Sequence, residues 1–293
     1  MSFFGSQCLR DAVVERVREH QRLDQIAQLV YWDGSKGCAI GCVLHSGNHL
    51  AFEQQLGLPV FLAYLDEHIF EKLPLEEAKG WPLRFIEAVP VGVDLELVSP
   101  RFMHWLLSDP DGVRQYADAR TVPIMDTLVA MYARRIEGIP FDVAAAWAAR
   151  AARAAAGAAR AAEGEAARDA AWAAAWAARA ARAAAGEAAR EAAWAARAAA
   201  WAAGEAAAAG EAASGAEGEA AWAAARAAAI RRQANYLITL LQGYENQPLA
   251  DLPPCTELLQ ALHFAVTVGG KFHRSCAATK MRGYYAKRKH DIA

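Results

Sequence analysis

Four residues of the kinds that hold zinc follow one another in Cys38-x3-Cys42-x2-His45-x3-His49. Thiolate and imidazole are the borderline and soft ligands that zinc prefers. On one helix this spacing puts all four side chains on a single stripe. An i, i+4 pair can then bite one ion, but four collinear ligands cannot share it. A break at Gly47 would swing His49 inwards. The same residues allow a thiol nucleophile at Cys38 or Cys42 with His45 as its base. A plainer reading also stands: cysteine is among the most buried residue types, and both thiols then simply fill core space.

A second chemistry lies in the tail from Lys271 to Ala293. Lys271, Arg274, Lys280, Arg282, Lys287, Arg288 and Lys289 are interleaved with Tyr284 and Tyr285, a mixture that grips phosphates and stacks on bases. The alternative is a solvated terminus. The whole chain has a net charge of −2, so no general field favours nucleic acid or membrane.

The third feature is a Trp/Arg stripe in the alanine-rich segment from Val143 to Ala229. Its Trp, Arg and Gly residues recur from Trp147 to Trp201 with a step of about 3.6 residues, the period of a straight α-helix. Trp147, Trp172, Trp176, Trp194 and Trp201 share a narrow arc, with Arg179 and Arg197 beside them. The remaining face is almost pure alanine, with Glu163 the exception. Trp and Arg are favoured at contact hot spots, so the stripe reads as a surface for a protein partner or for self-association. Simple packing on the neighbouring domain is the competing explanation. There is no P-loop, HExxH, GxSxG, or GxGxxG after a strand. The carboxylate pairs Asp66-Glu67 and Glu76-Glu77 sit in helical sequence and read as exposed faces.

The elements that must position these residues are helical. Asp11 to Trp32 is apolar at helical spacing, Cys38 to Ser46 forms a second helix closed by Gly47, and Asn48 caps a third that ends at Gly57. Pro59 opens Val60 to Leu73. Pro74, Pro82, Pro90 and Pro100 then cut the chain into short pieces, including Arg101 to Leu107 behind Ser99-Pro100. Pro123 to Ile136 is another helix. Alternation with period two is missing, except for a short strand-like piece near Val89–Val98. Alanine is the strongest helix former, so 143–229 is one very long helix or two with a turn at 204–218, where four glycines fall. Glu257 to Val268 is a last apolar helix.

These elements predict an all-α protein. It comprises a multi-helix domain over 1–141, an alanine-rich arm or hairpin over 142–229, helices returning to the core over 230–270, and the basic tail 271–293. Alanine buries little area, so the 55% apolar composition overstates the core, which must come from the other segments. Five cysteines without framework spacing, no leader-like N-terminus and no apolar run long enough for a membrane span suggest the cytoplasm.

The stretch GCAIGCVLHSGNHLAFEQQLGLPVFLAYLDEHIFEKLP, followed by WPLRFIEAVPVGVDL, resembles uncharacterised bacterial proteins. These pair a similar N-terminal region with an alanine-rich segment dotted with Arg, Trp or Tyr and acids. The resemblance covers most of the chain except the tail. It implies a bacterial or phage origin and an intracellular location, and it transfers no functional residue. The expected function is a non-enzymatic interaction or scaffold protein working through the Trp/Arg stripe, with no cofactor. A metal- or thiol-dependent protein using Cys38, Cys42, His45 and His49, with zinc as the metal, is the second expectation. Nucleic-acid contact through the tail is the third.

Overall fold

Helices follow where the chain supplies caps and apolar stripes. A computed structural model describes residues 1–139, 144–181, 185–210 and 216–248. After a 3-10 turn at Ser2–Gly5, α1 (Gln7–Arg22) starts at Ser6, whose Oγ accepts a hydrogen bond from the Leu9 N–H at 3.1 Å. The helix expected over Asp11–Trp32 stops ten residues early. Asp24 and Leu29 adopt left-handed backbone, and residues 23–38 form a loop. The loop is fastened by Gly37 N–H to the Gln25 carbonyl (3.0 Å) and Ala27 N–H to the Gly37 carbonyl (2.9 Å). The apolar spacing that suggested a longer helix instead buries Ile26 from within this loop.

α2 (Ala39–Leu44) is buried along its whole length and ends at His45, with φ 52°, rather than at Gly47. α3 (Leu50–Leu56) closes at Gly57, and α4 (Val60–Lys72) and α5 (Leu75–Ala88) each begin just after a proline. Pro82, expected to cut the chain, lies buried inside α5. Residues 89–97 form no strand. This strap is held by Gly92 N–H to the Ser2 carbonyl, Ser2 N–H to the Val93 carbonyl and Gln247 N–H to the Val91 carbonyl. α6 (Val98–Ser108) and α7 (Val122–Ile136) complete this half. No strand occurs among the described residues, so the fold is all-α.

The alanine-rich segment is neither one rod nor a two-helix hairpin. It comprises α8 (Ala144–Ala161), α9 (Glu165–Ala180), α10 (Ala185–Gly210) and the first half of α11 (Ala216–Gln242). The chain turns between α8 and α9 at Gly164, whose φ of 100° suits glycine. The break also lets Glu163 reach solvent, where a continuous helix would have driven its carboxylate into the alanine face. The turn expected at 204–218 is displaced: Gly204 lies within α10, and residues 211–215 are outside the described ones. Gly204 has a packing role, because a Cβ there would meet Trp222 Nε1 at 2.8 Å.

These helices are part of the core rather than an arm beside it. α9 packs between α8 and α10, α10 lies along both α4 and α11, and α11 also reaches α5 and α6. Ala155, Ala170, Ala173, Ala174, Ala177, Ala195, Ala196 and Ala200 join one apolar cluster with Phe52, Phe70, Trp81, Phe85 and Phe102. Alanine allows this because its small side chain lets helix backbones approach and loses no rotamer freedom on burial. Tyr132 of α7 ties the layers together by donating its hydroxyl to the Ala177 carbonyl at 2.8 Å. The helix expected at Glu257–Val268 and the whole basic tail lie outside the described residues.

Candidate functional site

The Cys/His motif does not converge. Among the described residues no group of three or more His, Cys, Asp and Glu is placed to hold a metal ion. α2 is too short to carry the stripe, and its end at His45 takes His49 off the helix face that holds Cys38 and Cys42. Cys38 and Cys42 are buried. Burial pushes both thiols up to about 12. A thiol at 12 is about one part in ten thousand thiolate at pH 8, so neither is an activated nucleophile. Both are therefore expected to resist a disulfide exchange reagent such as DTNB at pH 8 in the folded protein and to react fully in denaturant. Rapid labelling of the native chain at either position would contradict their placement. Cys8 is disulfide-bonded.

The two histidines instead enter two aromatic clusters beside the 23–38 loop. In the first, His45 Nε2 lies 2.8 Å from His20 Nε2, and His20 Nδ1 lies 2.7 Å from Gln25 Oε1. The Gln25 oxygen can only accept, so His20 carries a proton on Nδ1, and its Nε2 shares a hydrogen bond with the His45 Nε2. Trp32 stacks flat on His45, with centroids 4.2 Å apart and planes 9° apart. In the second, His49 Nε2 donates to Glu67 Oε2 at 2.6 Å and its ring stacks on Tyr64 at 4.4 Å. Burial pushes the Glu67 carboxyl up, but the His49 and Tyr31 hydrogen bonds and nearby Lys72 outweigh it and hold the group below its usual range. The same bond to Glu67, followed by the carboxylate charge, raises the Tyr31 hydroxyl to about 12.

Three glycines make room for this loop. A Cβ on Gly41 would lie 1.6 Å from the Tyr31 carbonyl oxygen, one on Gly37 2.6 Å from that same oxygen, and one on Gly47 3.0 Å from the Tyr31 ring. A carboxylate-oriented imidazole such as Glu67–His49 can act as a base. Cys38 and Cys42 are unactivated, so neither supplies it with a thiol nucleophile.

The neighbouring Asp66 corrects the expectation of an exposed acidic face. It is fully buried and accepts a hydrogen bond from Trp81 Nε1 at 2.7 Å. Burial, opposed by the Trp81 bond and reinforced by Glu67, holds its carboxyl well above the usual range. His68 on the same helix is also buried. Burial and then the charges of Lys72 and Arg197 lower its imidazole to about 3, so it stays neutral.

The Trp/Arg stripe does come together, and it does so across three helices. Trp172 and Trp176 of α9 lie 6.2 Å apart, and Trp176 stacks on Trp194 of α10 at 5.7 Å. Arg179 covers Trp176 at 4.7 Å, and Arg197 lies 5.0 Å from Trp194 and 5.1 Å from Trp201. The row continues into α11, where Arg226 sits 5.0 Å from Trp222 and 6.0 Å from Trp201. Trp222 Nε1 donates to Glu205 at 2.9 Å. The Trp147 side chain is outside the described ones. Trp222 and Arg226 were missed because they lie beyond the expected turn, although their i, i+4 spacing matches that of Trp172 and Trp176. His20, Gln25, Tyr31, Trp32, Tyr64 and Glu67 were missed because no local pattern joins them to His45 or His49.

No helix among the described residues is long and apolar enough to cross a membrane. Compared with known proteins, the chain matches no family model, no curated protein and no solved structure.

Proposed function

We propose that the protein is a non-enzymatic interaction or scaffold protein and that the Trp/Arg ladder of α9, α10 and α11 is its contact surface. The observation that carries this reading is the ladder itself. Indoles and guanidiniums alternate over three helices, and Trp194 remains 42% exposed. Rings held in place by flanking guanidiniums lose little freedom on binding, and Trp and Arg are the residues most often found at contact hot spots. Arg179 and Arg197 form no ion pair with an acid among the described residues, so the partner we propose is an acidic segment of another protein.

A fluorescent glutamate-rich peptide followed by anisotropy tests this. The wild-type chain is expected to bind it, and the Trp176→Ala/Trp194→Ala double variant to bind about 30-fold more weakly with its helix content intact. Sedimentation velocity of the same two proteins separates the alternative partner. A wild-type dimer dissolved by the double variant would replace the acidic segment by a second copy of this chain. A monomer that binds no peptide sinks the reading. We place the protein in the cytoplasm because the thiols of Cys38 and Cys42 are free, while the disulfide at Cys8 stands against that placement. Counting reduced thiols in protein from its native source decides between them.

A further inference from the structure

Where α10 and α11 cross α4, positive charge collects without a salt bridge among the described residues. Lys72 comes from α4, Arg197 from α10 and Arg226 from α11. None of the three forms an ion pair with an acid among the described residues, whereas Arg231 and Arg232 further along α11 both do. The groups feel one another. Burial and then Arg197 and Arg226 lower the Lys72 ammonium, and burial and then Arg197 lower the Arg226 guanidinium. The carboxylates nearest Lys72 are engaged elsewhere: Glu67 with His49 and Tyr31, and Glu71 with the Leu29 N–H at 3.1 Å.

Buried nitrogens without a hydrogen-bond partner accompany these charges. Arg226 Nε and Trp201 Nε1 are in this state, while His68 Nε2 has the side chain of Gln233 beside it at a geometry that satisfies neither fully. His68 is 9% exposed and lies within electrostatic reach of Lys72, Arg197 and Arg226 together. The Trp201 ring has Arg197 at 5.1 Å and Arg226 at 6.0 Å from its centroid, so both guanidiniums flank one indole. Leaving donors unpaired beside like charges is costly, and one anion that accepts from several directions would relieve both defects.

We propose that Lys72, Arg197 and Arg226 form a binding site for a phosphate dianion, with His68 and the Trp201 indole as its floor. Three cations arriving from three helices match a doubly charged tetrahedral group better than a carboxylate, whose two oxygens lie in one plane. Free phosphate and a phosphoryl group on a larger ligand share this chemistry. The site shares Arg197, Arg226 and Trp201 with the ladder and takes Lys72 and His68 from outside it.

Calorimetric titration of the full chain with inorganic phosphate, phosphoserine and acetate tests the assignment. Phosphate is expected to bind. Lys72→Gln, Arg197→Gln and Arg226→Gln should each weaken it about tenfold or more, as loss of a charge-assisted contact requires. Arg160→Gln, which removes an exposed charge on α8, should leave it unchanged. Phosphoserine binding more tightly than phosphate would assign the site to a phosphorylated ligand, and equal or weaker binding to the free ion. No binding of phosphate at millimolar concentration overturns the proposal. So does equal binding of acetate, or equal weakening in Arg160→Gln. Lys72 lies outside the ladder, so Lys72→Gln separates a failure of this site from a failure of the contact surface. Circular dichroism of each variant confirms that a lost signal is not lost folding.

Discussion

Replacing Gly41 by alanine is expected to destabilise the protein by about 2–3 kcal/mol, in urea denaturation followed by circular dichroism. In most helices the same change would help, by about 1 kcal/mol, because alanine is the better helix former. Gly41 sits within α2 at ordinary helical geometry, so propensity alone predicts a gain. The opposite sign follows from its neighbour. The new methyl would fall 1.6 Å from the Tyr31 carbonyl oxygen, and backbone there cannot move without releasing the loop. Releasing it would unstack Trp32 from His45 and strip Tyr31 from Glu67. A Gly41→Ala protein as stable as wild type would mean that the loop does not lie against α2.

The second large effect concerns pH and two residues of α4 that act in opposite directions. His68 has a folded value near 3 against 6.5 when unfolded, so the unfolded chain takes up the proton first. Its contribution is therefore lost as pH falls below about 6.5, at about 1.4 kcal/mol per pH unit. Lys72, Arg197, Arg226 and Gln233 are the polar groups facing it. Asp66 has a folded value well above its usual 3.8, so the folded chain holds the proton longer. Its contribution is present at low pH and is lost as pH rises above about 4, with Trp81 and Glu67 facing it.

Above about pH 4 and below about pH 6.5 the two slopes oppose each other in the wild-type protein. Asp66→Asn keeps an acceptor for Trp81 and removes one slope, so this variant should lose stability steadily from pH 6.5 down to pH 4. His68→Gln leaves only the opposite slope of Asp66, so its stability should rise as pH falls toward about 4. Urea unfolding at four pH values reads both. If both variants parallel the wild type, the two side chains are not buried in these ionisation states.

The sequence made the all-α class readable because alanine propensity and caps such as Ser6 act within a few residues. The Trp/Arg stripe was readable for the same reason, since periodicity along one helix is a local property. Its continuation onto Trp222 and Arg226 was not, because it depends on which helix lies beside α10. The fold-back of the alanine segment was hidden for a related reason. The signal for the break was a single charged residue, Glu163, on an otherwise apolar face, followed by Gly164. Pro82 misled in the other direction, because a local breaker was overridden by the burial of α5. The zinc expectation rested on a helix running to Ser46 with a break at Gly47 to bring His49 inwards, and the chain instead leaves the helix at His45, two residues earlier. The clusters that His45 and His49 do join draw His20 and Glu67 from elements 25 and 18 residues away, a distance over which spacing carries no information.

The alanine faces that join α8, α9 and α10 have a further consequence. A surface made of one repeated small side chain looks the same after a shift of one turn, so it holds helices together without saying where they stop. Address is left to the irregular contacts, among them Trp176 stacked on Trp194, Trp222 seated on Gly204, the Tyr132 hydroxyl on the Ala177 carbonyl, and Gln233 Nε2 on the Ala196 carbonyl at 2.8 Å. These act as the detents of a sliding bolt. Cohesion here is spread over many methyl groups, while alignment rests on a few large side chains, so the two can be lost separately.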